Sequence, residues 1–382
     1  MDSLSVEPRW VEVNLDAIRH NYGQIRQRVR EDIKILSVVK ADAYGHGAVE
    51  VARVLLEAGT DMLGVTTVAE GRILREQGIT APILVFGPFL PEEAGTIADT
   101  DLTATVAGLD SLKYLQNALT TSNKSIRVHL KVETGLGRTG LWPDQALEAA
   151  GEIANTPGLI LEGVYSHLAT AMWKNQDYAQ KQFQIFNGII TALENAGFHG
   201  YIKHISNSSA IMNLPQMHLD MVRAGTVLYG QYTNPAYAGD MSLQDTWSMK
   251  ARVVYIRELP PGHGVGYGRT YITSQTTRVA VLPVGFADGF QAEPVFKPAG
   301  LVELAKGIVK LILQYLNHRR VNQPVVFAGG KGRIIGKAGM QMTMVDVTGI
   351  PYIEIGAVAS LPARRTAISA LIPRVYIGGG DF

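Results

Sequence analysis

The chain has 382 residues, 46% apolar and 18% charged, with 35 basic against 34 acidic side chains and no cysteine. That length calls for two domains rather than a single core. Balanced charge without a basic run leaves no electrostatic footprint for nucleic acid, and the absence of cysteine removes thiol nucleophiles, disulfides and thiolate metal ligands. The opening MDSLSVEPRW has neither the basic nor the apolar region of a signal peptide, and no apolar run reaches membrane-span length. A cytoplasmic protein without membrane contact is therefore expected.

In chain order, residues 14 to about 232 alternate short apolar runs with helical patterns. The strand-like runs are 35–40, 62–67, 83–87, 102–106, 127–133, 161–167, 201–207 and 221–225, with helical spacing between them, as in 48–58 (AVEVARVLLEA) and 178–196. Buried parallel strands read as unbroken Val/Ile/Leu runs, and each parallel pair needs a crossover. Eight such units over about 220 residues predict a (β/α)8 TIM-type barrel, with a doubly wound open sheet as the alternative. The turn-rich stretch 231–244 (QYTNPAYAGDMSLQ) reads as a linker. Beyond it the β-branched runs 249–259, 277–283, 324–327, 343–347 and 374–377, punctuated by glycine, predict a mostly β domain. A helical insert near 300–316 (GLVELAKGIVKLILQYL) interrupts it. The expected division is 14–240 for the barrel and 241–382 for the β domain, which the N-terminal strand 8–13 joins.

Lys40 ends the apolar run ILSVVK and precedes a turn, ADAYGHG. Barrel catalytic residues sit at the C-terminal ends of strands. Taken alone, such a lysine reads as a side chain snorkelling to solvent, but in a partly dry pocket its amine becomes a usable nucleophile. His167 closes LEGVYSH, Arg138 lies in the turn KVETGLGRTG, and Tyr267 lies in GHGVGYGRTY, whose glycine spacing is not that of a nucleotide fingerprint.

The stretch VVKADAYGHG resembles the cofactor-lysine signature of the alanine racemase family, and the resemblance runs along nearly the whole chain: WVEVNLDAIRHNY, KVETGLGRTG, HISNSSA, HLDMVRAGTVLYG, GVGYG, PVGFADG and GKAGMQMTMVDVT. It implies a pyridoxal 5'-phosphate enzyme that racemizes alanine by two bases, Lys40 and Tyr267, supplying D-alanine for peptidoglycan. Lys40 would also attach the cofactor. Tyr44, Asn207, Ser208, Gly225 and Thr226 would hold its phosphate. Arg223 would face the ring nitrogen, and His167 would lie between Arg223 and the catalytic tyrosine. Arginine can only donate there, so the ring nitrogen would stay unprotonated. Arg138 and Met340 would contact substrate, Lys131 stands where many members carry a carbamylated lysine, and Tyr267 would act across a homodimer interface.

Three departures bear on substrate range: Gln341 replaces a usual aspartate, Phe286 a usual tyrosine, and residues 361–363 (LPA) lack a tyrosine of the site's mouth. A serine or broad-specificity racemase on the same scaffold is the alternative. A non-catalytic cofactor carrier would lack the β domain, and a decarboxylase of basic amino acids would need a cysteine that this chain does not have.

Overall fold

The computed structural model describes residues 7–120, 124–234, 241–292, 298, 300–315 and 323–379. The chain divides into two compact units, Asn14–Thr246 with Gly378–Phe382, and Met1–Val13 with Trp247–Ile377. Part of the predicted linker (235–240) and the last residue of the predicted insert (316) lie outside the described residues.

The first unit is built on eight parallel strands: β2 (Lys34–Val38), β3 (Met62–Val65), β4 (Ile83–Val85), β5 (Ala104–Val106), β6 (Ile126–Lys131), β7 (Leu159–Tyr165), β8 (Ile202–His204) and β9 (Met221–Ala224). They pair in the orders β4-β3-β2-β9 and β5-β6-β7-β8. Backbone bonds stitch the two sets into a closed ring, Val85 to Thr103 at one seam and Arg223 to Ser206 at the other. Helices α1 (Leu15–Arg28), α2 (Lys40–Gly45), α3 (Ala48–Glu57), α4 (Val68–Glu76), α5 (Ala94–Asp99), α6 (Leu109–Thr120), α7 (Pro143–Ala154), α8 (Asp177–Asn195) and α9 (Ser208–Asn213) alternate with them. This is the (β/α)8 barrel rather than the open sheet. Leu36, Val38, Met62, Leu84 and Met221 form one interior cluster, which makes the barrel a packed core and not a pore.

The predicted strands run past the observed ends at the top of the barrel. The first was expected to carry Lys40, but β2 stops at Val38 and Lys40 opens α2. Likewise β7 stops at Tyr165, two residues before His167. The apolar pattern continues because these residues still face packed interior, while the backbone has left the ladder.

The second unit carries a nine-stranded sheet in the order β11-β14-β17-β16-β15-β18-β10-β1-β19. Its strands are β1 (Arg9–Asn14), β10 (Trp247–Arg252), β11 (Tyr255–Leu259), β14 (Thr277–Leu282), β15 (Val325–Phe327), β16 (Gly330–Ile334), β17 (Thr343–Asp346), β18 (Val358–Leu361) and β19 (Arg374–Ile377). A small hairpin, β12 (Gly264–Val265) with β13 (Tyr271–Ile272), and one helix, α10 (Leu301–Tyr315), complete it. The run 249–259, read as one strand, is two. Val253 bonds to Ala357 and Val254 to Val281, so the chain changes neighbours at that dipeptide, leaving β18 as the partner of β10 and taking β14 as that of β11.

Candidate active site

A cavity of about 250 Å³ opens at the C-terminal ends of the barrel strands, lined wholly from the first unit. It brings together Lys40, Tyr44, Lys131, Arg138 and His167 with Asn207, Ser208, Arg223, Gly225 and Thr226. Ten residues spread over nearly 190 positions of sequence thus converge because each follows or ends a parallel strand. Tyr267 and Met340, the other two candidates, belong to the second unit.

Lys40 is aimed by an unusual backbone. Ala41, Asp42, Ala43 and Tyr44 all have φ between +50° and +56°, a full left-handed turn made without glycine. Left-handed helical conformation costs an L-residue roughly 1–2 kcal/mol, so the turn persists only because its surroundings hold it. Glu70 accepts from the Ala41 N–H at 2.6 Å while closing the N-terminal cap of α4 through Thr66 and Thr67. Asp42 accepts from the Ala48 N–H at 2.8 Å. Backbone strain of this kind gathers at functional sites. Burial, and next the Arg138 cation, pull the Lys40 amine below its usual range, against the opposing charge of Glu70. A larger share of this amine is therefore neutral near pH 7 than for a solvated lysine.

Arg223 is fully enclosed and fixed on several sides. Nη2 donates to the Ser166 and Ile205 carbonyls at 2.7 and 3.1 Å and reaches His167 Nδ1 at 3.2 Å. Nη1 donates to His204 Nδ1 at 2.9 Å. Burial brings the guanidinium down to about 10, which leaves it charged at neutral pH. Since arginine never accepts, His167 Nδ1 must be the acceptor, and the proton of that neutral ring sits on Nε2. Burial, then the charges of Arg223 and Arg138, hold His167 well below the normal histidine range, in keeping with a neutral ring.

The same rule orders a chain behind the arginine. His204 accepts at Nδ1, so its Nε2 carries the proton and donates to His129 Nδ1 at 2.9 Å. His129 then donates from Nε2 to Glu162 Oε2 at 3.1 Å. Burial would raise the Glu162 carboxyl, but donation from His129 and Thr103 brings it below its usual value. The chain is a directed relay that ends in an anion. Gly163 leaves room for it, because a Cβ there would come 2.5 Å from the His129 ring. Tyr165 stacks on His204 with ring centres 4.8 Å apart and sits 5.3 Å from the Arg223 guanidinium carbon. Glu162, His129 and His204 were not singled out from sequence. The available signal was the placing of two histidines on strands β6 and β8 of a barrel interior that is otherwise mostly apolar.

Polar groups also gather at the other end of the cavity. Ser208 Oγ accepts from the Gly225 N–H at 2.9 Å. A Cβ on Gly225 would lie 2.9 Å from the Tyr44 hydroxyl, so glycine permits the close approach. Burial pushes Tyr44 up to about 12, keeping its hydroxyl a donor. Asn207 is a helix cap, accepting from Ser209 and Ala210 at the start of α9. Thr226 Oγ1 is buried with no hydrogen-bond partner among the described residues. Such an orphan calls for a ligand that accepts or donates. The donor set therefore fits an aldehyde-bearing, phosphorylated pyridine: an amine at Lys40, a fixed donor at Arg223, and hydroxyls at Tyr44, Ser208 and Thr226.

Glu133 braces the Arg138 loop. Its carboxylate accepts from the N–H groups of Gly135, Leu136 and Gly137. Lys131 is buried, bonded to Thr139. Burial, followed by the cations Arg138 and Arg223, lowers it to about 8.

In the second unit Tyr267 stands 82% exposed between β12 and β13, and Met340 is 62% exposed. The segment 283–289 is tied to 336–348 by Phe286 N–H to Gly339 and Ala287 N–H to Met340.

Residues 13–233 match the family described as alanine racemase, N-terminal domain, and residues 246–371 match alanine racemase, C-terminal domain. Alanine racemase 1 of Caldanaerobacter subterraneus subsp. tengcongensis is 39% identical over 353 residues, covering 92% of this chain and 84% of its own. The alanine racemase of Desulforamulus reducens is 35% identical, covering 97% of this chain and all of its own. Among solved structures, the alanine racemase of Clostridium difficile 630 superposes with a TM-score of 0.86 at 31% identity, covering 97% of this chain and 96% of its own.

Proposed function

The chain belongs to the alanine racemase family and interconverts L-alanine and D-alanine; we propose that it does so with pyridoxal 5'-phosphate and two bases, Lys40 and Tyr267. The observation that carries the site assignment is the convergence of Lys40, Arg138, His167 and Arg223 on one cavity. D-alanine is the product needed for peptidoglycan, and a cytoplasmic setting is in keeping with that role. The described helices include none long and apolar enough to cross a membrane.

Bound pyridoxal phosphate supplies the electron sink that makes an amino acid's α-proton removable. The remaining work falls to this chain's own groups. Lys40 would hold the cofactor, and its partly neutral amine then handles the proton on the face where D-alanine carries it. The partner subunit's Tyr267 would handle the opposite face. The strong exposure of Tyr267, and of Met340 and Phe286 on hydrogen-bonded loops, suits a surface that closes on a second copy. His167 presents an Nε2–H, a donor able to stabilise a tyrosine oxygen that has given up its proton. Arg223 would meet the ring nitrogen as a donor only, and the relay behind it keeps it so. A ring nitrogen left unprotonated makes a shallower sink, which suits simple return of the proton. Tyr44, Ser208 and Thr226 would hold the phosphate, and Arg138 the substrate carboxylate.

The test is to follow D/L interconversion across alanine, serine and basic amino acids with pyridoxal phosphate present. Alanine turned over fastest supports the reading. A preference for serine or lysine would move the protein to the broad-specificity branch, in line with Gln341 and Phe286.

A further inference from the structure

Helix α10 takes no part in the chemistry above, yet it exposes a run of large apolar side chains. Leu301 is 85% exposed, Val302 70%, Val309 54%, Leu311 65%, Ile312 52% and Tyr315 86%. At 100° per residue, Glu303, Lys306 and Lys310 fall within a sector of about 60°, while the apolar residues from Leu311 round to Leu313 cover an arc of about 200°. A helix packed on a protein core needs an apolar stripe of roughly 100°, and a coiled-coil seam is narrower still. An arc twice that width is more than one partner helix can cover. A flat apolar medium covers it without remainder.

Charge points the same way. The chain as a whole is balanced, yet α10 carries Lys306 and Lys310 against Glu303. The sequence on either side of it adds Lys297, Arg319 and Arg320, which lie outside the described residues, with no further acidic residue between 297 and 320. Fifteen residues rise only about 22 Å, short of the hydrocarbon thickness of a bilayer. A basic amphipathic helix of this length lies in a membrane interface rather than across it. Against the expectation of no membrane contact, we propose that α10 docks the protein on an anionic phospholipid surface, its apolar arc in the acyl boundary and its lysines among the headgroups.

The chain has no cysteine, so a single engineered one gives a unique label. The full-length Ile312→Cys protein, carrying an environment-sensitive fluorophore, should blue-shift with phosphatidylglycerol vesicles and not with pure phosphatidylcholine vesicles. The same label at Lys310→Cys should stay water-like. In co-sedimentation, unlabelled protein should pellet with the anionic vesicles, less so as salt rises. Ile308→Glu with Ile312→Glu should weaken that binding at least tenfold while racemase activity, which α10 does not serve, is retained. Protein that stays in the supernatant with both vesicle types overturns the proposal. So does a double variant that alters the sedimentation coefficient in the absence of lipid but binds vesicles as before, since α10 would then be a contact between copies of the chain.

Discussion

Lys131 offers a quantitative test of the site's electrostatics. It is 4% exposed, and burial with Arg138 and Arg223 brings it from 10.5 to about 8. At pH 8 about half of such an amine is neutral, against roughly 0.3% of an ordinary lysine, a gain on the order of 150-fold in nucleophile. The neutral amine is the form that adds carbon dioxide: the nitrogen–carbon bond forms, one proton leaves the nitrogen for solvent, and the carbamate carries a single negative charge facing Arg138. With ¹³C-bicarbonate, the protein should give a carbamate resonance that rises with a midpoint near pH 8 and is absent from Lys131→Met. A second consequence needs no carbon dioxide. Between pH 8 and 10.5 the unfolded chain binds the proton that the folded chain has lost, so stability rises with pH across that window, by about 3 kcal/mol for a shift of this size. Denaturant unfolding in CO₂-free buffer should show that rise in the wild type and a flatter profile in Lys131→Met. Absence of an adduct from pH 7 to 9, together with equal slopes in the two proteins, would refute the assignment.

With pyridoxal phosphate added, borohydride should fix a pyridoxyl label that peptide mapping finds on Lys40; a label on another lysine would sink the cavity assignment. Tyr267→Phe should slow proton removal from L-alanine by roughly 10²–10⁴-fold, while solvent exchange at the α-carbon of D-alanine suffers far less, and equal losses would mean a single base. Lys40→Ala and Tyr267→Ala proteins, mixed under conditions of subunit exchange, should recover about a quarter of all sites; no recovery, with exchange confirmed, would place both residues in one chain. Glu162→Gln should cost about 1–3 kcal/mol of stability and release the fixed tautomers of His129 and His204, read by ¹⁵N chemical shifts. Unchanged shifts would mean that the carboxylate does not set the relay's direction.

The barrel was legible because its strands are unbroken Val/Ile/Leu runs, and a period that simple survives in sequence. Lys40 and Arg223 were legible because each stands beside such a run, inside motifs shared with a family. Strand ends were not: residues 39–40 and 166–167 stay buried or near-buried after the ladder has stopped, and apolar pattern reports burial, not pairing. The β16 strand was missed because its sequence, GKGRI, reads as a turn until β15 and β17 flank it. The Glu162–His129–His204 relay was hidden for another reason. Its members span 75 residues on three strands, and only the side-by-side pairing of β6, β7 and β8 brings their polar atoms to 2.9 and 3.1 Å from one another. Tyr267 is proposed from its motif alone, and nothing local in its loop marks the hydroxyl as reactive.

The left-handed turn after Lys40 has a bearing on how this site is put together in time. A right-handed turn can nucleate from its own residues, but four L-residues at positive φ cannot, and Ala41 to Tyr44 have no reason to wind this way in a free chain. The turn becomes the cheapest conformation only after β3 has given Val39 its backbone partner and α4 has presented Glu70. The segment that carries the Lys40 amine can thus settle only once β3 and α4 are in place. Glycine at these four positions would remove the strain, but it would leave the amine on a slack tether; alanine, aspartate and tyrosine leave the folded surroundings in command of where the lysine points.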